Sequence, residues 1–167
     1  MMSKIKKIPV IYALCAVLCG CSFAPMHSTS PRGGQDAATR DIFIAPISGT
    51  NGIDMRNALR AKFGTDNNPT AKYSLQVNLQ SPATIYKALQ ATGDATWQEV
   101  RLVATYVLKQ SGEDEEILHA TDTAAESYTF VRDLVAAQAS YNNAVQSAIR
   151  VLSEKIELRV IAKLSEL

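Results

Sequence analysis

A chain of 167 residues, 47% of them apolar and 20% charged, has too much to bury for a wholly disordered polymer and enough length for one domain with a real core. The formal charge of +1 misleads, because Lys4, Lys6 and Lys7 crowd the N-terminus; taking these three from seventeen basic side chains leaves fourteen against sixteen acids, a balance of −2 that argues against a nucleic-acid partner. All three cysteines, Cys15, Cys19 and Cys21, fall near the start, which leaves the body of the chain without disulfide or thiol chemistry.

Lys4, Lys6 and Lys7 form a positive region, and Ile8 to Leu18 an apolar run that ends in small residues, as in a secretory signal over residues 1–20. That run is well short of the ~20 residues a permanent spanning helix requires. Its ending, Leu18-Cys19-Gly20-Cys21, resembles the bacterial lipobox, in which a peptidase cuts before a cysteine whose sulfur has been acylated. Cys21 is then the lipidated first residue of the mature chain. Cys19 departs from the small residue commoner at its position, and an ordinary signal peptide with an incidental cysteine is the alternative. Each buried CH₂ of an acyl chain contributes about 0.8 kcal/mol, so more than one chain holds a protein at a membrane. Ser22, in place of Asp, resembles lipoproteins sent to the outer membrane. Cys15, Cys19, Cys21 and His27 can also be written as zinc ligands, but the first two sit inside the apolar run. The rest of residues 21–40, from Ser28 on, is Ser, Thr, Pro, Gly, Gln and Asp, a flexible tether.

The domain is expected over residues 41–167. Asp41 to Ile47 is a short strand signal closed by Pro46. Ile53 to Phe63 has helical spacing through Met55, Leu59 and Phe63, with Ala58 alongside, Thr50 or Asn51 as cap and Gly64 as stop. Tyr73 to Gln80 alternates cleanly: Tyr73, Leu75, Val77 and Leu79 one way, Ser74, Gln76, Asn78 and Gln80 the other. Ser81 to Thr96 is a connection that allows a strand extension and a loop at residues 91–94. Val100 to Leu108 is a second long strand, Gln110 to Glu115 a polar hairpin turn, and Glu116 to Tyr128 a further strand whose ambiguous inward face calls for a bulge. From Asp133 to Leu164 no Gly or Pro interrupts a helix striped by Val145, Ile149, Leu152, Ile156 and Val160, with Val151, Leu158 and Ile161 on its far side. Strand, helix, three strands, helix implies an α+β two-layer sandwich, two helices on one face of a four-stranded sheet.

Two outward strand faces are unusual for a free domain. That of Tyr73 to Gln80 is polar without a charge, and that of Val100 to Leu108 carries Val103 and Val107 beside Thr105. Sheet faces open to water ordinarily carry Lys and Glu, so a partner-covered face at Gln76, Asn78, Val103, Thr105 and Val107 is the sharper reading, and chance the plainer one. The chain has no nucleophile elbow, His-Glu-x-x-His, phosphate loop or dinucleotide fingerprint, so neither an enzyme nor a cofactor is expected. His27 and His119 have no evident catalytic partner, Glu113 to Glu116 reads as a solvated turn with the wrong spacing for calcium, and Trp97, just before a strand, is expected in the core ahead of the alternative that it anchors a partner.

Cys21-Ser-Phe-Ala-Pro25 resembles the Cys-Gly-Phe-x-Pro-Leu start of the LPS-assembly lipoprotein LptE family, in its alphaproteobacterial form. The similarity runs on through Ile44-Ala-Pro-Ile47, Met55 to Leu59, Tyr73 to Val77, Arg101 to Leu108 and Ser127-Tyr128, in short segments whose order and spacing carry it. The resemblance implies the same sandwich and a non-enzymatic plug in the lumen of the outer-membrane barrel protein LptD that helps deliver lipopolysaccharide to the outer leaflet. It further implies basic side chains that meet the anionic lipid; Lys87 and Arg101 are the candidates, against ordinary surface charge. The alternatives are an outer-membrane lipoprotein of another lipid-transport machine and a free periplasmic binding module.

Overall fold

The computed structural model describes residues 39–88, 96–131 and 133–167. All lie in the second of the chain's two units, Arg32–Leu167. The expected leader, the Cys21 lipidation site, His27 with the tether up to residue 38, and the expected loop at residues 91–94 lie outside the described residues.

Alternation builds the sheet. Strands β1 (Ile42–Ile44), β2 (Tyr73–Leu79), β3 (Ala83–Ala88), β4 (Thr96–Gln110) and β5 (Glu116–Phe130) are joined by helix α1 (Thr50–Phe63) and followed by helix α2 (Leu134–Leu164). β1 runs parallel to β2, and β2 antiparallel to β4 with Gln76 opposite Val107 and Asn78 opposite Thr105. β5 pairs antiparallel with β4 from Thr96–Phe130 to Lys109–Glu116. With β5 along one edge of β4, β2 and β3 share the other, end to end. The sheet therefore has five strands where the sequence pattern gave four. Pro82, which has no N–H to donate, interrupts what is otherwise one long strand beside β4. The expected bulge is present, a register shift between Leu108 and Lys109 that leaves Ile117 unopposed. Gly112, at φ 87°, turns the hairpin where an L side chain is strained.

Both helices pack on one side of the sheet, giving the two-layer α+β sandwich. α2 lies on β5 and β4, and α1 on α2 and β1. The core between the layers holds Ile42, Ile44, Leu75, Val100, Leu102, Tyr106 and Leu108 from the sheet with Met55, Leu59, Ile149, Leu152 and Ile156 from the helices, all fully buried or nearly so. Each such aliphatic side chain contributes about 1.5–3 kcal/mol relative to exposure. α1 starts without the side-chain cap expected of Thr50 or Asn51: Gly49 holds the N-cap position, its carbonyl accepting from Ile53 N–H at 3.1 Å. Gly64, at φ 60°, ends it as expected. α2 is capped by Asp133, whose Oδ1 accepts from the N–H groups of Val135 and Ala136 at 2.9 and 3.1 Å. Of the far-side residues on α2, Val151 and Ile161 pack at the core margin, and Leu158 stands 61% exposed. Among the described residues no helix is long and apolar enough to cross a membrane.

The turn after α1 closes the outer edge of β1. Thr65 Oγ1 donates to Ile42 O at 2.7 Å, Asn67 Oδ1 accepts from Ile44 N–H at 2.6 Å, and Arg56 Nε donates to Ile44 O at 3.1 Å. Asn67 does this from the left-handed region at φ 58°, which Asn tolerates better than other L residues. The Ile42 carbonyl and both backbone groups of Ile44, which a sixth strand could claim on that side, are already satisfied.

Candidate functional site

Among the described residues no element covers the side of the sheet away from the helices, the open face. Successive strand residues alternate between the two faces, and directly opposite residues share one, so the register fixes what stands here. Across β2, β4 and β5 run the rows Gln76–Val107–His119 and Asn78–Thr105–Thr121, then Val103–Thr123 and Arg101–Ala125. All five expected interface residues, Gln76, Asn78, Val103, Thr105 and Val107, thus stand side by side on one face. Thr105 Oγ1 and Thr121 Oγ1 share a hydrogen bond at 3.0 Å, tying the hydroxyls to each other across the ladder.

Charge is held to the two ends of this face. At the hairpin end Lys109 Nζ lies 3.6 Å from Glu116 Oε1, and His119 Nδ1 3.3 Å from Glu116 Oε2. At the far end Arg101 donates to Glu99 Oε1 at 3.0 Å. Between them the residues are Thr, Val, Gln and Asn. Such a surface costs little to dehydrate, since no unpaired ion has to leave water, while hydroxyls and amides remain to form hydrogen bonds with a covering partner.

Trp97 corrects the sequence expectation. It is not in the core but within β4, 54% exposed on the open face, opposite Thr129. β4 begins at Thr96, so the outward set Arg101, Val103, Thr105 extends backwards through Glu99 to Trp97; continuing the alternation past Val100 would have found it. Of the two lipid-contact candidates, Arg101 is on this face and engaged by Glu99, and Lys87 belongs to β3 with its side chain outside the described ones. The expected acidic turn is drawn into the hairpin itself: Gln110 Nε2 donates to Glu113 at 2.8 Å, and Glu116 faces Lys109 and His119. Among the described residues no group of three or more His, Cys, Asp or Glu side chains converges as a metal site requires.

The covered face holds a network that sequence reasoning missed. Tyr106, on β4, donates to Asp122 Oδ2, on β5, and Arg159, on α2, donates to Asp122 Oδ1 at 2.8 Å. Burial, then the hydrogen bond to Asp122, pushes the Tyr106 phenol far above its usual range. Burial likewise raises that of Tyr128, which donates to Gln98 on β4 and meets Tyr141 edge-on at 5.8 Å. Both tyrosines are neutral pins between sheet and helix, not acids or bases poised near neutrality.

The fold has been seen before. It is similar to a candidate lipoprotein from Caulobacter crescentus CB15, with TM-score 0.66 and 17% identity over 80% of this chain and 98% of that one. It is also similar to a minor lipoprotein from Acinetobacter baumannii, with TM-score 0.57 and 17% identity over 74% of this chain and 94% of that one. At such identity the likeness is one of fold. No family model matches the sequence, and no curated protein matches it.

Proposed function

We propose that this chain is a non-enzymatic lipoprotein of the outer membrane, anchored through Cys21, that docks by its open sheet face in the lumen of an LptD-like β-barrel and assists delivery of lipopolysaccharide to the outer leaflet. The observation that carries the reading is the uncharged middle of that face, Gln76, Asn78, Val103, Thr105 and Val107 side by side, with neither α1 nor α2 on that side. A permanently wetted face gains nothing from excluding charge; one enclosed by a barrel wall avoids burying unpaired ions. The lipoprotein description of both fold relatives supports the anchor, and the family resemblance of the sequence supports the barrel and the lipid. Arg101 and Lys87 are the side chains offered to the lipid's anionic groups.

Extraction of the tagged full chain from outer membranes in mild detergent tests the reading. A stable one-to-one complex with a large β-barrel protein is expected. Recovery with the subunits of another lipid-transport machine, or alone, overturns it. Unchanged lipopolysaccharide binding by the Lys87→Glu, Arg101→Glu double variant removes those two residues from the lipid role.

A further inference from the structure

The two outer edges of the sheet are treated differently. On the β1 side, Thr65, Asn67 and Arg56 occupy the outward carbonyl of Ile42 and both outward backbone groups of Ile44. On the β5 side the edge runs for fifteen residues without a Pro, Gly or Lys. The direction of its backbone groups follows from two hydrogen bonds. Val103 O accepts from Gln80 N–H on the β2 side, so Val103 and its partner Thr123 do not bond to each other. Thr123 O therefore points out of the sheet, and Lys155 Nζ meets it there at 2.8 Å. With a period of two, the N–H and C=O groups of Ala125, Ser127 and Thr129 point the same way. Long open edges of this kind are usually blunted by Lys, Pro or a covering element; among the described residues Lys155 alone does so here, at the Thr123 position.

Beside the open half of the edge lies a groove of about 370 Å³ between β5 and α2. Its helix wall is a row of short side chains, Ser140, Asn143 and Ser147, which lets another backbone approach closely, and Trp97 borders it next to Thr129. Inside stands Glu126. It shares the helix-covered face with Val100, is partly shielded, and its carboxylate has no hydrogen-bond or ion-pair partner among the described residues.

We propose that this groove accepts an extended polypeptide segment as a sixth strand along Ala125 to Thr129, with a basic side chain of that segment meeting Glu126. The open backbone groups supply the ladder, the short helix residues give the backbone room, and the lone carboxylate sets the charge of the guest. A second copy of this chain fits less well: a two-fold β5 pairing centred on Ala125 sets Ser127 against Thr123 and so needs the Thr123 carbonyl that Lys155 already occupies. The proposal does not depend on the barrel reading, since it uses a different surface.

The test uses an acetylated, amidated nonapeptide of alternating Thr and Val with one central Lys, and its twin with a central Glu. The purified full chain is titrated with each while the emission of Trp97, the single tryptophan of the chain, is followed. The Lys peptide is expected to bind about tenfold more tightly than the Glu peptide, and the order to invert in Glu126→Lys. N-methylation of alternate amides of the Lys peptide is expected to abolish binding. Equal affinities, absence of binding by either peptide, or a concentration-dependent dimer of the chain that excludes both peptides would overturn the proposal, the last by assigning the edge to a second copy.

Discussion

Tyr106 donates its phenol hydrogen to Asp122 at 2.6 Å on the helix-covered side of the sheet, joining two strands at the point where Arg159 brings in the helix. The consequence is an alkaline sensitivity. The phenol ionises near 10 in the unfolded chain but is held far above that in the folded one. A raised folded value means the contribution is complete below about pH 10 and is lost as pH rises beyond it, because the unfolded chain releases its proton first. Tyr106→Phe is expected to cost about 1–3 kcal/mol near pH 7, since Asp122 loses a buried donor, and to flatten the decline above pH 10. Urea denaturation followed by circular dichroism from pH 7 to 11 reads both effects.

Gly52 sits in the first turn of α1 with its backbone against Ile47. A Cβ placed there would lie 2.7 Å from Ile47 O, inside the contact limit and against main chain that cannot swing away. Helix propensity alone favours Ala over Gly by about 1 kcal/mol. We expect the opposite sign, a loss of about 1–3 kcal/mol for Gly52→Ala, from the steric shift. A stability gain in the same denaturation assay would show that the loop at Ile47 yields.

On the open face, Thr105→Lys with Val107→Lys places two charges in the uncharged middle without touching the core. Thermal unfolding should change by about 1 kcal/mol or less, as for surface positions on a strand. Recovery of the barrel complex from detergent extracts should be lost. Undiminished recovery would move the interface elsewhere on the molecule.

Cys21→Ala is expected to leave a precursor of unchanged length that takes up no labelled palmitate. Gel mobility and membrane fractionation read the outcome, and normal cleavage with membrane retention would rule out Cys21 as the anchor.

The parts of this fold that repeat with a short period were legible in the sequence. Tyr73 to Leu79 and the stripe Val145 to Val160 declare their inner faces without help from distant residues, and the uncharged outward set on β2 and β4 needed only alternation to be seen. What stayed hidden depends on partners far along the chain. Asp122 is an unremarkable acid in a strand until the fold brings Tyr106, sixteen residues away, and Arg159, thirty-seven away, against it. Thr65 and Asn67 look like turn residues and nothing more, because their partners at Ile42 and Ile44 come together with them only once β1 has joined β2. The separate identity of β3 was missed because its pairing runs on from that of β2, and Pro82 marks the break only when the register on β4 is known.

β4 has a neighbour on both edges over most of its length, with β5 on one side and β2 and β3 in succession on the other. Solvent can reach its amide hydrogens only when a flanking strand lifts away, and through the buried stretch Leu102 to Leu108 that means opening the core as well. In deuterium oxide those amides should hold their protons longest, on the timescale of whole-molecule unfolding. The outward N–H groups of Ala125, Ser127 and Thr129, one strand away, should exchange within the first minutes. Time would then sort the two sides of a single ladder, and slowing of the fast set by an added peptide would mark where a sixth strand settles.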